Sequence, residues 1–319
     1  MCYSAQINAD YRKYVRQYGA DIDLESFVRL YWERQGGSKA KIPKAMDVAF
    51  AQDSTPEARR IAAMITAFDA EQATRLQQEL FKQKKRLADA ERTLQTRTTK
   101  AASESRRIAT EKIDWTLGKL ADLRRTELKD SDSRIFPQHY APVMVWEQGR
   151  RVVKPMRYQC RPHGKPVAYD HKYPGTYNAR RDNLGGFWKE LFGYSHGVMV
   201  VDAFFENVSR HAMQGRALAE GEKEENVVLE FRPDPPQEML VACLWSHWQQ
   251  PGEPELLSFA AITDEPPPEI AAAGHDRVII QIKPGNLDAW LNPNAGDLAA
   301  LHAILEDRER PFYEHRLAA

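Results

Sequence analysis

Residues 126–146 read TELKDSDSRIFPQHYAPVMVW, and the texture of the chain changes within them. Upstream the apolar residues recur every three, four or seven positions. Downstream they fall in short runs broken by Pro, Gly and polar turns. Spacing of the first kind predicts helix and of the second predicts strand, so the stretch marks a change from α to β architecture.

On the upstream side Asp53-Ser54-Thr55-Pro56-Glu57 combines capping residues with a proline suited to a first helical turn. No Gly or Pro then occurs until Gly118. Ile61, Ile65, Phe68, Leu76, Leu80, Leu87 and Leu94 form one seam, and Ile113, Leu117, Leu120 and Leu123 a second. A single helix of about 70 residues would be roughly 105 Å long. The polar patch Thr96–Arg106 holds no large apolar residue, so the spacing predicts a hairpin, coiled-coil-like over about 55–128. Before it, residues 23–34 form an amphipathic helix with Leu24, Phe27, Val28 and Tyr31 on one stripe, stopped by Gly36-Gly37. Residues 1–10 suit a short strand.

Strands are expected at Val143–Trp146, Arg151–Val153, Gly197–Val201, Val227–Phe231, Met239–Leu244, Leu257–Ile262 and Val278–Ile282. Short helices suit Asn286–Leu291 and Asp297–Asp307. The expected fold is therefore α+β: a mainly antiparallel, barrel-like core from 1–20 and 134–319, carrying 21–133 as a helical insertion.

The chain has 319 residues and a formal net charge of zero, which excludes a uniformly basic nucleic-acid sponge. Between Arg134 and Arg216, thirteen Lys/Arg stand against six Asp/Glu; from Ala217 onward it is seven against nineteen. A basic middle suits a local anionic ligand. Three cysteines, Cys2, Cys160 and Cys243, have no metal-ligand spacing and imply neither a disulfide framework nor a metal site. No apolar run is long enough to span a membrane, and the first twenty residues lack the apolar run of a signal peptide. Sparse, unpaired cysteines suit a reducing compartment, so a cytoplasmic protein is expected.

Cys2 becomes N-terminal once Met1 is lost. It then presents an amine and a thiol on adjacent carbons, a pair no internal residue offers. The amine, with an ordinary pKa of about 7.7–8.0, is partly neutral at physiological pH, and the thiolate is a strong nucleophile. Such a group needs an acid–base partner. Glu206, after the apolar run of VMVVDAFFENVSRH, and His275, in GHDRVIIQI before another, are candidates; each also suits an ordinary strand end or a satisfied core position. Asn178 and Arg180 lie in TYNARRD, where Arg suits a phosphate and Asn the orientation of a reacting group; a plain polar loop reads the same way.

The order of these residues resembles the SOS response-associated peptidase (SRAP) family of abasic-site processing proteins. Its motifs match Met1-Cys2, Asn178-Ala179-Arg180, Phe204-Phe205-Glu206 and His275-Asp276-Arg277. Weaker echoes are Pro155-Met156-Arg157-Tyr158, Ala242-Cys243-Leu244-Trp245 and Thr263. The resemblance covers residues 1–10 and about 134–295. It implies that Cys2 cross-links to an abasic site in single-stranded DNA as a thiazolidine. Glu206 would shuttle protons, His275 assist ring opening and Schiff-base formation, and Asn178 position Cys2. Arg180, Arg277, Thr263 and Arg157 would contact DNA. No metal or organic cofactor is implied, and removal of Met1 is either autocatalytic or the work of an aminopeptidase. The family usually has Gly-Arg after the cysteine, where Tyr3 and Ser4 stand, and Trp after the glutamate, where Asn207 stands. The usual proline past His-x-Arg is absent, with Val278-Ile279 there, and the helical insertion is not part of the common domain. Two other readings remain: a cysteine peptidase acting on protein, with Cys2 and His275 as nucleophile and base, and a non-enzymatic protein that binds a partner, or itself, through the helical insertion.

Overall fold

A computed structural model describes residues 4–51 and 55–318. Cys2, Met1 and Tyr3 lie outside the described residues, as does the Asp53-Ser54 part of the expected helix start. In chain order the elements are β1 (Ser4–Ile7), α1 (Tyr11–Tyr18), β2 (Asp21–Ile22), α2 (Leu24–Gln35), α3 (Lys44–Ala51), α4 (Pro56–Thr96), α5 (Lys100–Arg124), β3 (Arg134–Ile135), β4 (Tyr140–Glu147) and β5 (Arg150–Tyr158). There follow α6 (Tyr169–Lys172), β6 (Asn178–Arg180), β7 (His196–Ser209), α7 (Arg210–Met213), β8 (Asn226–Asp234), β9 (Met239–Trp248) and β10 (Leu256–Asp264). The chain closes with α8 (Pro268–Ala272), β11 (Val278–Ile279), α9 (Leu287–Leu291), α10 (Leu298–Glu306) and β12 (Phe312–Leu317).

The α+β class is as expected, but the core is not a clean barrel. Twelve strands of the described residues form one mixed sheet. Its pairings run in a ring, β5–β4–β7–β9–β10 and back to β5, where the closing pair is parallel and spans only Ser258↔Arg157 and Phe259↔Tyr158. β7 also pairs β1 and β8, and β10 also pairs β6 and β11. The physical reason is the length of β7. Its fourteen residues outrun its partners β4 and β9, and the free ladder is filled by β1 and β8.

Both faces of β7 are covered. Met199 and Val201 join one apolar cluster with Val143, Phe231 and Phe259, while Val198 and Val200 join another with Trp188, Leu240 and Trp290. Alternation on the strand explains the split. Helices from the first third of the chain complete the former cluster: Phe27, Tyr31, Met46, Phe50, Ala58 and Ile61 are buried in it. Each large side chain so buried contributes roughly 1.5–3 kcal/mol.

The helices start where the chemistry dictates. Asp10 accepts from the Lys13 amide at 3.2 Å and Gly19 closes α1 with φ +57°. Asp23 caps α2 through Ser26, Thr55 caps α4 with Pro56 behind it, and Thr99 accepts from the Ala102 amide at 3.1 Å to start α5. α4 and α5 are thus a hairpin turning at residues 97–99, at the front of the expected polar patch. The hairpin alone does not establish a coiled coil. The seam is buried at Gln83, Ala90, Ala102, Ala109, Thr116 and Leu120, while Leu87, Leu94, Ile113 and Leu123 are half-buried and Leu117 is exposed. Small side chains make up most of the buried seam, with Leu120 as its one buried leucine among the described residues of α5.

Candidate functional site

Glu206 lies inside β7, which continues to Ser209, rather than at a strand end. The apolar pattern that defined the strand stops at Asp202, but the ladder to β8 carries the backbone on through Glu206↔Leu229. Glu206 is fully buried, and its neighbour Phe205 stands opposite Ser4 on β1. The first described residue of the chain is therefore paired one position from the carboxylate.

His275 arrives from the other side of the fold. Gly274, with φ +92°, turns the chain between α8 and β11. A Cβ there would stand 3.0 Å from Ala212 Cβ and 3.3 Å from its backbone, so both the torsion and the close approach to α7 require glycine. This turn sets the His275 Nε2 at 3.2 Å from Glu206 Oε2. The Nδ1 contact to the Arg277 carbonyl, at 3.0 Å, is shorter than that from the Arg277 amide, at 3.3 Å. The shorter contact assigns the proton to Nδ1, donating to the carbonyl, and leaves Nε2 facing the carboxylate. One proton between Nε2 and Oε2 makes the contact a hydrogen bond, whereas none sets two lone pairs against each other. Burial pushes the His275 imidazole below its ordinary pKa. The pair is a buried place to hold and hand on one proton.

Asn178 and Arg180 occupy a short strand, β6, where the sequence suggested a loop. It runs parallel to β10, with Asn178 opposite Ala261 and Arg180 opposite Thr263. Tyr158 Oη lies 3.5 Å from Asn178 Oδ1, while Asn178 Nδ2 is buried with no hydrogen-bond partner among the described residues. Thr263 Oγ1 is likewise buried and unpartnered. Buried polar atoms are nearly always satisfied, so two at one place mark a spot suited to a ligand. Thr263, Arg180 and Arg277 line one small recess, and Asn178, Arg180 and Arg277 line an adjoining cleft of about 410 Å³. Arg180 is exposed and held by Asp182 at 2.6 Å. The Arg277 Nε lies 3.6 Å from an Asp276 carboxylate oxygen. Of the residues singled out from the sequence, Arg157 stands apart. It is locked to Asp170 at 2.7 Å, which Arg161 also holds, and lines neither recess.

Arg134 escaped sequence reasoning. Its guanidinium lies 3.8 Å from the Phe205 ring centroid and its Nε donates to Ser4 Oγ at 3.0 Å. It thereby clamps the first described residue to the strand that carries Glu206. No local signal marks it, because its partners are far away in sequence. The other two cysteines are poor nucleophiles: Cys160 and Cys243 are fully buried, and burial pushes the Cys160 thiol up to about 12 and that of Cys243 higher still. Among the described residues, no group of His, Cys, Asp and Glu is placed to hold a metal, and no helix is long and apolar enough to cross a membrane. Larger clefts, of about 610 and 600 Å³, lie elsewhere and are lined by none of Asn178, Arg180, Glu206, Thr263, His275 and Arg277.

Comparison with known proteins gives the following. The family model described as SOS response associated peptidase (SRAP) matches residues 91–317. No curated protein matches. Among solved structures, a protein from Bordetella bronchiseptica is 15% identical, with a TM-score of 0.46 over 59% of this chain and 87% of that one. A protein from Bacteroides thetaiotaomicron is 13% identical, with a TM-score of 0.45 over 59% and 78%. A phage-related protein from Bordetella bronchiseptica is 18% identical, with a TM-score of 0.43 over 61% and 85%.

Proposed function

The chain belongs to the SOS response associated peptidase family, which ties it to the DNA-damage response, and on that premise we propose that it captures abasic sites in single-stranded DNA as a covalent adduct of Cys2. Hydrolysis of the Met1–Cys2 peptide bond frees the 1,2-aminothiol. The observation that carries the reading is the register of Ser4 against Phe205, beside the buried Glu206–His275 contact. Cys2 is two residues before Ser4, a tether of about 7 Å at full extension.

The chemistry balances with the residues at hand. The Cys2 amine adds to the C1 aldehyde of the opened deoxyribose and gives a carbinolamine. The hydroxyl leaves as water, taking a proton from the Glu206–His275 pair, and an imine remains. The Cys2 sulfur then adds to the imine carbon while the thiol proton goes to nitrogen, closing the thiazolidine. The net change is the loss of one water. A neutral His275 recovers the proton that the amine sheds. Asn178 orients the reacting end, and Arg180, Arg277 and Thr263 hold the flanking phosphates. Phosphate contacts give affinity with little sequence preference, and unpaired DNA lets the sugar enter the cleft.

The test is incubation with a single-stranded oligonucleotide carrying one abasic site, followed by denaturing electrophoresis. The reading expects a protein–DNA band with wild type, and none with Cys2→Ala or with intact DNA. No band with wild type overturns it.

A further inference from the structure

We propose that the outer half of the α4–α5 hairpin is a second DNA-binding surface, which follows the phosphate backbone of the strand whose lesion occupies the Glu206–His275 site. The inference rests on the function proposed above and adds to it a contact remote from the chemistry.

Charge is the first observation. The chain as a whole is neutral, yet between Phe81 and Lys112 ten Lys/Arg stand against four Asp/Glu. Three of those acids are engaged within the arm: Asp89 pairs Arg92, and Glu104 and Glu111 both pair Arg107. Lys82, Lys84, Lys85, Arg97, Lys100 and Arg106 are exposed and form no ion pair with another described residue. An uncompensated cationic stretch of this kind is the footprint of a polyanion. The second observation is aromatic. Phe81 is 75% exposed and Trp115 58% exposed on the same two helices, and neither packs into the apolar clusters. Flat rings among lysines suit exposed bases of a single strand, which stack without sequence preference.

The third observation is where the arm is rooted. Arg125, just past α5, holds Asp132 at 2.7 Å, and Lys44 Nζ donates to the Asp122 carbonyl. Asp132 lies two residues before Arg134, which bonds Ser4 and stacks on Phe205. The base of the hairpin thus adjoins the strand pair that borders Glu206. Its 41-residue first helix is about 61 Å long. A strand of about 12 nucleotides lies within the roughly 4–16 that one single-strand site of a small domain occupies, so only a longer strand leaves the cleft with enough backbone to follow the arm to its outer half.

The test uses the full chain and two intact single-stranded oligonucleotides, of about 12 and about 40 nucleotides, titrated across salt concentrations. The variant carries Lys82→Glu, Lys84→Glu, Lys85→Glu and Lys100→Glu, with helicity checked by circular dichroism. A Lys→Gln version of the same four positions, gentler on folding, must move in the same direction. The variant is expected to lose at least tenfold in affinity for the 40-mer and to stay within twofold on the 12-mer. Four lost phosphate contacts at about 0.7 each lower the slope of log K against log salt by about 3 on the 40-mer. Adduct yield on a saturating 12-mer with an abasic site should be unchanged. Unaltered affinity and slope on the 40-mer overturn the proposal and leave the arm to a protein partner. Because the arm is read by non-covalent binding of intact DNA, its failure is distinct from failure of wild type to form the adduct.

Discussion

His275 Nε2 lies 3.2 Å from Glu206 Oε2, inside a fold that buries both. The contact joins a strand interior to a loop held by a glycine turn, and it is the acid–base element of the proposed chemistry. Glu206→Gln and His275→Gln keep the shape and each remove one of the two titrating groups. General acid–base groups contribute about 10²–10⁴-fold. Each variant should therefore form the adduct at least about a hundredfold more slowly in a single-turnover assay. Affinity for intact DNA should stay within twofold of wild type.

Gly274→Ala addresses the same contact through the backbone. The new Cβ meets Ala212 at 3.0 Å in a torsion that costs an L-residue about 1–2 kcal/mol. The His275 loop must shift, so adduct formation slows while binding of intact DNA persists. A wild-type rate in this variant means that the turn does not position His275.

Asp182→Asn tests the phosphate contacts. Arg180 is held by Asp182 on the surface, and solvent and salt screen an exposed pair of this kind so that it is easily given up. Releasing it should tighten binding of intact single-stranded DNA about two- to fivefold, as read by fluorescence anisotropy. Arg180→Ala should weaken it and reduce the salt slope by about 0.7.

Acid stability follows from His196. Its ring is buried against Phe192 and Trp290, and burial lowers its pKa to about 3. The folded state holds it neutral, so its contribution is complete above about pH 6.5 and declines as pH falls toward 3. By pH 5 the loss amounts to about 2 kcal/mol. Urea unfolding at pH 7 and pH 5 should show that His196→Gln loses less stability than wild type between the two.

Much of this was legible in the sequence where pattern and burial coincide. Asp23, Thr55-Pro56 and the run from Val143 to Trp146 announce α2, α4 and β4, because caps and apolar runs are local signals. Three things were hidden. α1 buries Tyr11, Tyr14 and Tyr18 at helical spacing behind Asp10, a signal carried by tyrosines among charges rather than by aliphatic residues. β7 passes through Asp202 and Glu206, which interrupt its apolar run although the ladder does not stop. β12, FYEHRL, is mostly exposed and exists through its pairing with β8, a long-range contact with no local trace. The site divides the same way. The motifs named Asn178, Glu206 and His275, but the approach of Arg134 to Phe205 and Ser4 depends on β1 and β3 lying side by side.

The most direct measurement is intact-mass spectrometry of the product formed with a single-stranded oligonucleotide bearing one abasic site. The account predicts a species equal to the chain without Met1, plus the oligonucleotide, minus one water, and its loss in Cys2→Ala. A protein that retains Met1 yet forms the adduct, or a Cys2→Ala variant that forms it as well as wild type, would contradict the account.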